Sequence, residues 1–142
     1  MGRSRGGLTT KIHAVTDKKG LPVRLSISAG QMHDSVPAKA LLTGLKPGQI
    51  ILGDKAYDAD DLRRHIEDQG AAPNIPSKTN RRWKSCFSKV LYRDRNLIER
   101  FFNKIKYFRR VATRYDKLPS AFLAMIKLAS IRLWLRFYES TA

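Results

Sequence analysis

Cysteine is nearly absent from this sequence: one residue, Cys86, in 142. That excludes an internal disulfide and any zinc site built from several thiolates. Acidic residues are also scarce, 12 against 28 Lys and Arg, leaving a formal charge of +16. No uncharged apolar run approaches the roughly 18 residues that a membrane span needs. The basic opening Met1-Gly2-Arg3-Ser4-Arg5 is followed by no apolar stretch, so no secretory signal is expected. An apolar fraction of 42% is nonetheless ordinary for a folded domain. The expectation is one soluble intracellular domain whose excess charge seeks a polyanion.

The charge is concentrated. Between Lys78 and Lys117 stand 14 Lys or Arg and three acids, Asp94, Glu99 and Asp116. Aromatics are interleaved there, including Trp83, Phe87, Tyr92, Phe101, Tyr107 and Tyr115. Half of the acids crowd instead into residues 54–68. Such a stripe is the footprint of a nucleic-acid binder, because neutralised phosphates release counterions. A merely solvated helix face is the plainer alternative.

Residues 8–16 and 21–28 alternate apolar and polar around Asp17-Lys18-Lys19-Gly20, which predicts an antiparallel hairpin. Asp34 or Ser35 can cap a short helix with Pro37 in its first turn and an end at Gly44. Gln49 to Gly53 reads as a short buried strand with Asp54 at its C-terminal end. A helix over 58–69 stops at Gly70, and Ala72 to Ile75, bracketed by Pro73 and Pro76, is at best an edge strand. Residues 77–89 read as a basic loop. Two helices follow, over about 93–113 and 119–138; the second is apolar almost all round, with Met125 and Trp134 expected in the core. His13 and His65 are expected to be structural, and capping accounts for Asp34 beside His33.

On a continuous helix, Ile98, Phe101, Phe102, Ile105 and Phe108 form a buried stripe. Tyr92, Arg95, Glu99 and Lys106 fall within about 60° of one another on an adjacent face. Exposed pairs at i,i+4 explain that face as well, for a few tenths of a kcal/mol. Asp54 at a strand end, taken alone, is equally well a cap. A strand-end carboxylate together with a helical one beside a basic surface is, however, the equipment of hard-cation chemistry on phosphodiesters.

Gly53-Asp54-Lys55-Ala56-Tyr57-Asp58, then Tyr92-x2-Arg95-x3-Glu99-x6-Lys106, then Arg109-Arg110-Val111-Ala112-Thr113-Arg114-Tyr115-Asp116-Lys117, resembles the DDE transposases of bacterial insertion sequences. The likeness is to the fifth insertion-sequence family, within the IS4-like superfamily. Gly2 to His13 and Gly30-Gln31-Met32-His33-Asp34 resemble it too, so nearly the whole chain is covered. The Tyr-Arg-Glu-Lys spacing arises by chance in on the order of one in several hundred chains of this length.

The resemblance implies an α/β, RNase H-like catalytic core with a C-terminal helical pair. Asp54 and Glu99 would be the second and third acids of a triad binding Mg²⁺ or Mn²⁺. Tyr92, Arg95, Lys106, Arg109, Arg110 and Arg114 would contact or position DNA. The reaction implied is hydrolytic nicking at the element's ends, then attack of the freed 3′-hydroxyl on target DNA. Partners would be double-stranded DNA, a second copy on that DNA, and an upstream polypeptide; the setting would be the bacterial cytoplasm, at the nucleoid. Ala56 stands where many members have Gly.

The first acid of the family lies on a central strand upstream of the Gly-Arg-Ser-Arg segment. Asp17, in a turn, is no substitute. The expectation is therefore an incomplete core with unpaired strand edges, arranged as a strand-rich part (about 8–76), a basic loop (about 77–89) and a helical part (about 90–142). Joined to the upstream part it would cleave and transfer strands; alone it would be inactive. The alternatives are a non-catalytic DNA-binding remnant or inhibitor, and a basic RNA-associated protein.

Overall fold

The computed structural model describes residues 2–4, 7–108 and 119–141. Strands β1 (Gly2–Ser4), β2 (Gly7–Thr16) and β3 (Pro22–Ala29) form one sheet in the order β1-β2-β3. β1 runs antiparallel to β2, with Arg3 opposite Leu8. The expected hairpin is present, and its turn chemistry is explicit. Asp17 Oδ1 accepts the Lys19 and Leu21 N–H groups (2.9 and 3.0 Å), while Gly20 takes φ +81°.

Helix α1 (Ser35–Leu41) follows, then strand β4 (Ile50–Leu52), a 3-10 turn at Lys55–Tyr57, helix α2 (Asp60–Glu67) and strand β5 (Ala72–Asn74). β4 and β5 pair in parallel, Ile50 opposite Ala72. Pro73 sits inside β5, as befits a strand with one partner among the described residues. Helix α3 (Lys89–Tyr92), a 3-10 turn (Arg93–Arg95), helix α4 (Asn96–Ile105) and helix α5 (Pro119–Thr141) complete the described chain.

The chain forms two compact units. The first comprises residues 1–13 and 28–95, the second residues 14–27 and 96–142. The first unit is centred on Leu62 and Ile66 of α2 with Ile75 and Ala71, all buried; each large side chain removed from water contributes about 1.5–3 kcal/mol. Its loops are stitched by Gln69, whose amide accepts from Leu45 N–H (2.8 Å) and donates to Leu42 O (2.7 Å).

In the second unit α4 buries Phe101 and Ile105, and α5 buries Phe122, Ile126, Ala129 and Leu133, a spacing of four, three and four. The Trp134 indole donates to Pro22 O at 2.7 Å, and Lys19 lies 4.9 Å over the Phe137 ring. The sequence predicts α5 as an all-round packing helix. It buries one stripe instead: Met125 and Trp134 are half-buried, and Leu128, Ile131 and Leu135 are exposed. None of the described helices is long and apolar enough to cross a membrane.

The expected single helix over 93–113 is interrupted. A 3-10 turn at Arg93–Arg95 separates α3 from α4, and α4 ends at Ile105 with Lys106 in a turn. Residues 109–113 lie outside the described residues.

Candidate active site

Asp54 directly follows β4 and Gly53, so the strand delivers it to the C-terminal edge of the parallel pair. One carboxylate oxygen is used locally. Asp54 Oδ1 accepts the Ala56 N–H at 3.0 Å, and Asp54 O accepts the Tyr57 N–H at 3.0 Å, which caps the Lys55–Tyr57 turn. Ala56 thus serves the turn through its backbone, without needing glycine's freedom.

The other oxygen faces a cation. Arg95 donates to Asp54 Oδ2 at 3.4 Å, a long contact between partly exposed groups. The Arg95 guanidinium also lies 5.7 Å over the Tyr92 ring, one helical turn earlier in sequence. Tyr92 in turn meets Phe87 edge-on, with ring centroids 5.1 Å apart. Asp54, Lys55, Ala56, Pro76, Phe87, Lys89 and Tyr92 line a cleft of about 680 Å³. Within the first unit, then, the carboxylate, the arginine and the tyrosine of the motif come together.

Glu99 lies on α4 in the second unit, exposed, as does Lys106 in the turn after it. Arg109, Arg110 and Arg114 lie outside the described residues. The sequence puts Tyr92, Arg95, Glu99 and Lys106 on one continuous helix; a 3-10 turn at Arg93–Arg95 interrupts that helix between Tyr92 and Glu99, and Lys106 follows the end of α4.

A magnesium-type ion prefers about six oxygens around it. Asp54 suits one such position: it is a hard oxygen donor, partly exposed, and each of its oxygens keeps a lone pair beyond the single contact it makes. Among the described residues no three His, Cys, Asp or Glu side chains gather into a metal site.

Two features escape sequence reasoning. Asp58, four residues past Asp54, is buried and accepts three donors: Arg63 Nε at 2.8 Å, Arg81 Nε at 2.7 Å and the Lys78 N–H at 2.7 Å. Burial alone raises such a carboxyl; the Lys78 N–H and the two guanidiniums outweigh it and hold Asp58 down at about 2. Arg81 is held above its ordinary value by Asp58 and Asp60. Arg63, five residues on, is within reach of a local reading; Lys78 and Arg81, 20 and 23 residues downstream, are not.

The second is Asp34. Capping is the sequence's explanation for it, but its side chain makes no cap bond to α1. It pairs with Lys11 Nζ at 2.8 Å, and Lys11 also donates to Met32 O at 2.6 Å. α1 packs on the Lys55–Tyr57 turn, and Tyr57 feels both acids. Burial, then Asp34 and Asp54, push its phenol up to about 12 against the opposing pull of Arg95. His13 is structural as expected: buried, bonded to Ser28 Oγ at 2.6 Å, and lowered chiefly by desolvation.

A strand-end aspartate met by an arginine thus stands in a strongly basic chain. The model of the transposase DDE domain matches residues 2–134. The chain belongs to that family. It is 41% identical over 130 residues to a putative transposase for insertion sequence element IS6501 of Brucella ovis, covering 91% of this chain and 100% of that one. A transposase for IS1106 of Neisseria meningitidis serogroup B is 24% identical over 125 residues, 84% of this chain and 41% of its own length. A putative transposase for IS402 of Burkholderia cepacia is 24% identical over 137 residues, 89% and 62% respectively. This transposase-family chain therefore spans the whole of one curated relative and less than two thirds of two others. No solved structure matches it.

Proposed function

We propose that this DDE-domain chain is the catalytic part of an insertion-sequence transposase of the fifth, IS4-like family, with an RNase H-like core. It binds the ends of its element as double-stranded DNA, nicks a strand by hydrolysis and joins the freed 3′-hydroxyl to target DNA. Asp54 and Glu99 are the acids of the reaction. Tyr92, Arg95, Lys106, Arg109, Arg110 and Arg114 hold the strand being cut. Self-association on DNA, a first acid supplied by an upstream polypeptide, and a place at the bacterial nucleoid belong to the same reading.

One observation carries it. Asp54 closes a strand of the parallel pair, and its second oxygen is met by Arg95 from the Tyr92–Arg95 segment. Arginine does not fully neutralise a carboxylate at 3.4 Å with both groups partly exposed. It is instead well suited to exchange that carboxylate for a phosphate, which it grips through two parallel N–H donors. Tyr92 below the guanidinium limits its swing, and Lys89 adds positive charge to the same cleft. A divalent ion held by Asp54 and Glu99 would activate the attacking oxygen and stabilise the leaving one.

The test is strand cleavage by the complete protein. Asp54→Ala and Glu99→Ala each abolish nicking of end-containing DNA while leaving DNA binding largely intact. Cleavage by either variant at close to the wild-type rate overturns the assignment.

A further inference from the structure

Helix α5 buries one stripe, Phe122, Ile126, Ala129 and Leu133, and carries a second apolar stripe on its opposite side. Ala124, Leu128, Ile131, Leu135 and Tyr138 are all exposed, the last four by 57, 53, 57 and 61%. At 100° per residue they fall within about 80° of one another, centred about 180° from the buried stripe. Their spacings are four, three, four and three, an average of about 3.5 residues. That repeat keeps one face turned toward a partner over successive turns, and it is the pattern of a helix packed along another helix. The far end of the stripe is braced. The Tyr138 ring stacks on Trp134 with centroids 6.0 Å apart, and the Trp134 indole is itself bonded to Pro22 O. An aromatic anchor fixed before contact loses little freedom on binding.

Exposed leucines scattered singly need no explanation, but a contiguous apolar patch marks an interaction surface. The stripe itself holds no cation, so it offers nothing to a phosphate. Length and area decide what covers it. A helix of about 15 residues is needed to run from Ala124 to Tyr138, about 21 Å. Helices α1, α2, α3 and α4 have seven, eight, four and ten residues, whereas α5 has 23. Among the described elements, only α5 of a second copy matches the stripe in both length and repeat, and a two-fold axis sets each stripe on the other. Each large side chain of the stripe leaves on the order of 100 Å² in water, so a symmetric pair buries roughly 1,000 Å², the lower end of specific interfaces.

We propose that two copies of this chain pair through Ala124, Leu128, Ile131, Leu135 and Tyr138 of α5 in a weak, symmetric dimer. The proposal gives the self-association of the transposase reading a surface, and it rests on that reading only for the purpose of pairing, not for its chemistry. Charge opposes the contact. Lys127 and Arg132 border the stripe with a single acid, Glu139, and the whole chain carries +16, so like charges meet across the axis. Added salt therefore strengthens this pairing, the reverse of its effect on any association bridged by nucleic acid.

The experiment is sedimentation equilibrium of the full chain without DNA, over about a hundredfold range of micromolar concentrations. The expected result is a monomer–dimer equilibrium with a dissociation constant on the order of 10 μM at physiological salt, tightening by about threefold or more as salt is raised. Leu128→Gln combined with Leu135→Gln replaces two exposed leucines with a good helix former. That double variant keeps the wild-type circular dichroism and urea midpoint, and pairs about a hundredfold more weakly or less still. Leu91→Gln, at an exposed leucine outside the stripe, leaves pairing unchanged. A monomer at every concentration, a dimer indifferent to the double substitution, or pairing that weakens with salt overturns the proposal. A monomeric chain whose double variant loses stability only in the complete protein puts the upstream part on the stripe, and overturns it equally. Nicking by the complete protein is read separately. Retained nicking by a chain that does not pair through α5 defeats this inference alone, and pairing by a protein whose Asp54→Ala form still cleaves defeats only the catalytic assignment.

Discussion

Asp58→Asn removes one charge and almost no volume from the most heavily bonded carboxylate of the first unit. The Asp58 side chain is fully buried, and its partner Arg63 is nearly so, with Arg63 also donating to Ile75 O at 2.7 Å. A carboxylate offers acceptors on both oxygens; an asparagine keeps one and turns an NH₂ group toward donors that the other served. The variant leaves a buried guanidinium without a counter-charge, a loss worth about 3–5 kcal/mol. Arg81 adds little, because it is partly exposed and keeps Asp60 at 2.8 Å. About 4 kcal/mol is a large share of the 5–15 kcal/mol typical of a whole domain. Urea unfolding followed by circular dichroism should show a midpoint lower by roughly 2 M, with the slope unchanged. Acid supplies a second, independent reading. The Asp58 carboxyl lies at about 2 in the folded chain against an ordinary 3.8, so its ionised form contributes about 2 kcal/mol. Because the folded value is depressed, that contribution is complete above the ordinary value and disappears as the pH falls toward 2. The wild type therefore loses stability across this window more steeply than Asp58→Asn, which has nothing to protonate there. A change below about 1 kcal/mol at neutral pH, together with identical acid profiles for the two proteins, would refute the reasoning.

Two further outcomes are expected. Gly70 and Gly48 both stand at φ +85°, but a Cβ on Gly70 would come within 3.1 Å of Pro47 Cβ and 3.2 Å of Pro47 Cα, whereas one on Gly48 meets nothing within 4 Å. Gly48→Ala should cost about 1 kcal/mol from the left-handed backbone alone, and Gly70→Ala measurably more; equal losses in urea would contradict the packing argument. Arg95→Ala and Lys106→Ala should each reduce the slope of log affinity for end DNA against log salt by about one, and an unchanged slope would remove that residue from the phosphate contacts.

Local features of the fold were legible in the sequence. Asp17 to Gly20 is a turn because the Asp17 carboxylate can bond its own backbone two and four residues on, and it does. The strand at 49–53 and the helix at 58–69 appear as β4 and α2, shortened at their ends, where boundaries are weakest. β1 was not foreseen: three residues beside two glycines carry no alternation, and its pairing with β2 is what makes it a strand. The break at Arg93–Arg95 escaped for a related reason. A wheel drawn on a uniform helix cannot register a tightened turn, although Asp94 and Asn96 on either side of Arg95 are among the poorer helix formers.

The candidate site divides along the same line between local and distant determinants. Asp54 could be placed at a strand end because an apolar run and a glycine precede it within five residues. Its engagement by Arg95 could not, since the two are 41 residues apart and meet only through the course of the intervening chain. Asp34 shows how a sound local rule can choose the wrong partner. An aspartate before a helix is a good cap, but Lys11 offers it a full opposite charge at 2.8 Å, where a backbone N–H offers only a dipole. Lys11 comes from β2, which no reading of residues 30–44 alone would consult. The same competition explains Asp58, within the acid-rich stretch that follows β4. Seen along the sequence it is one carboxylate among six; in the fold it is the one that three donors from α2 and the basic loop converge upon. A charge density countable from composition thus becomes specific only where burial removes water as the competing partner, and that is decided by residues far away in the chain.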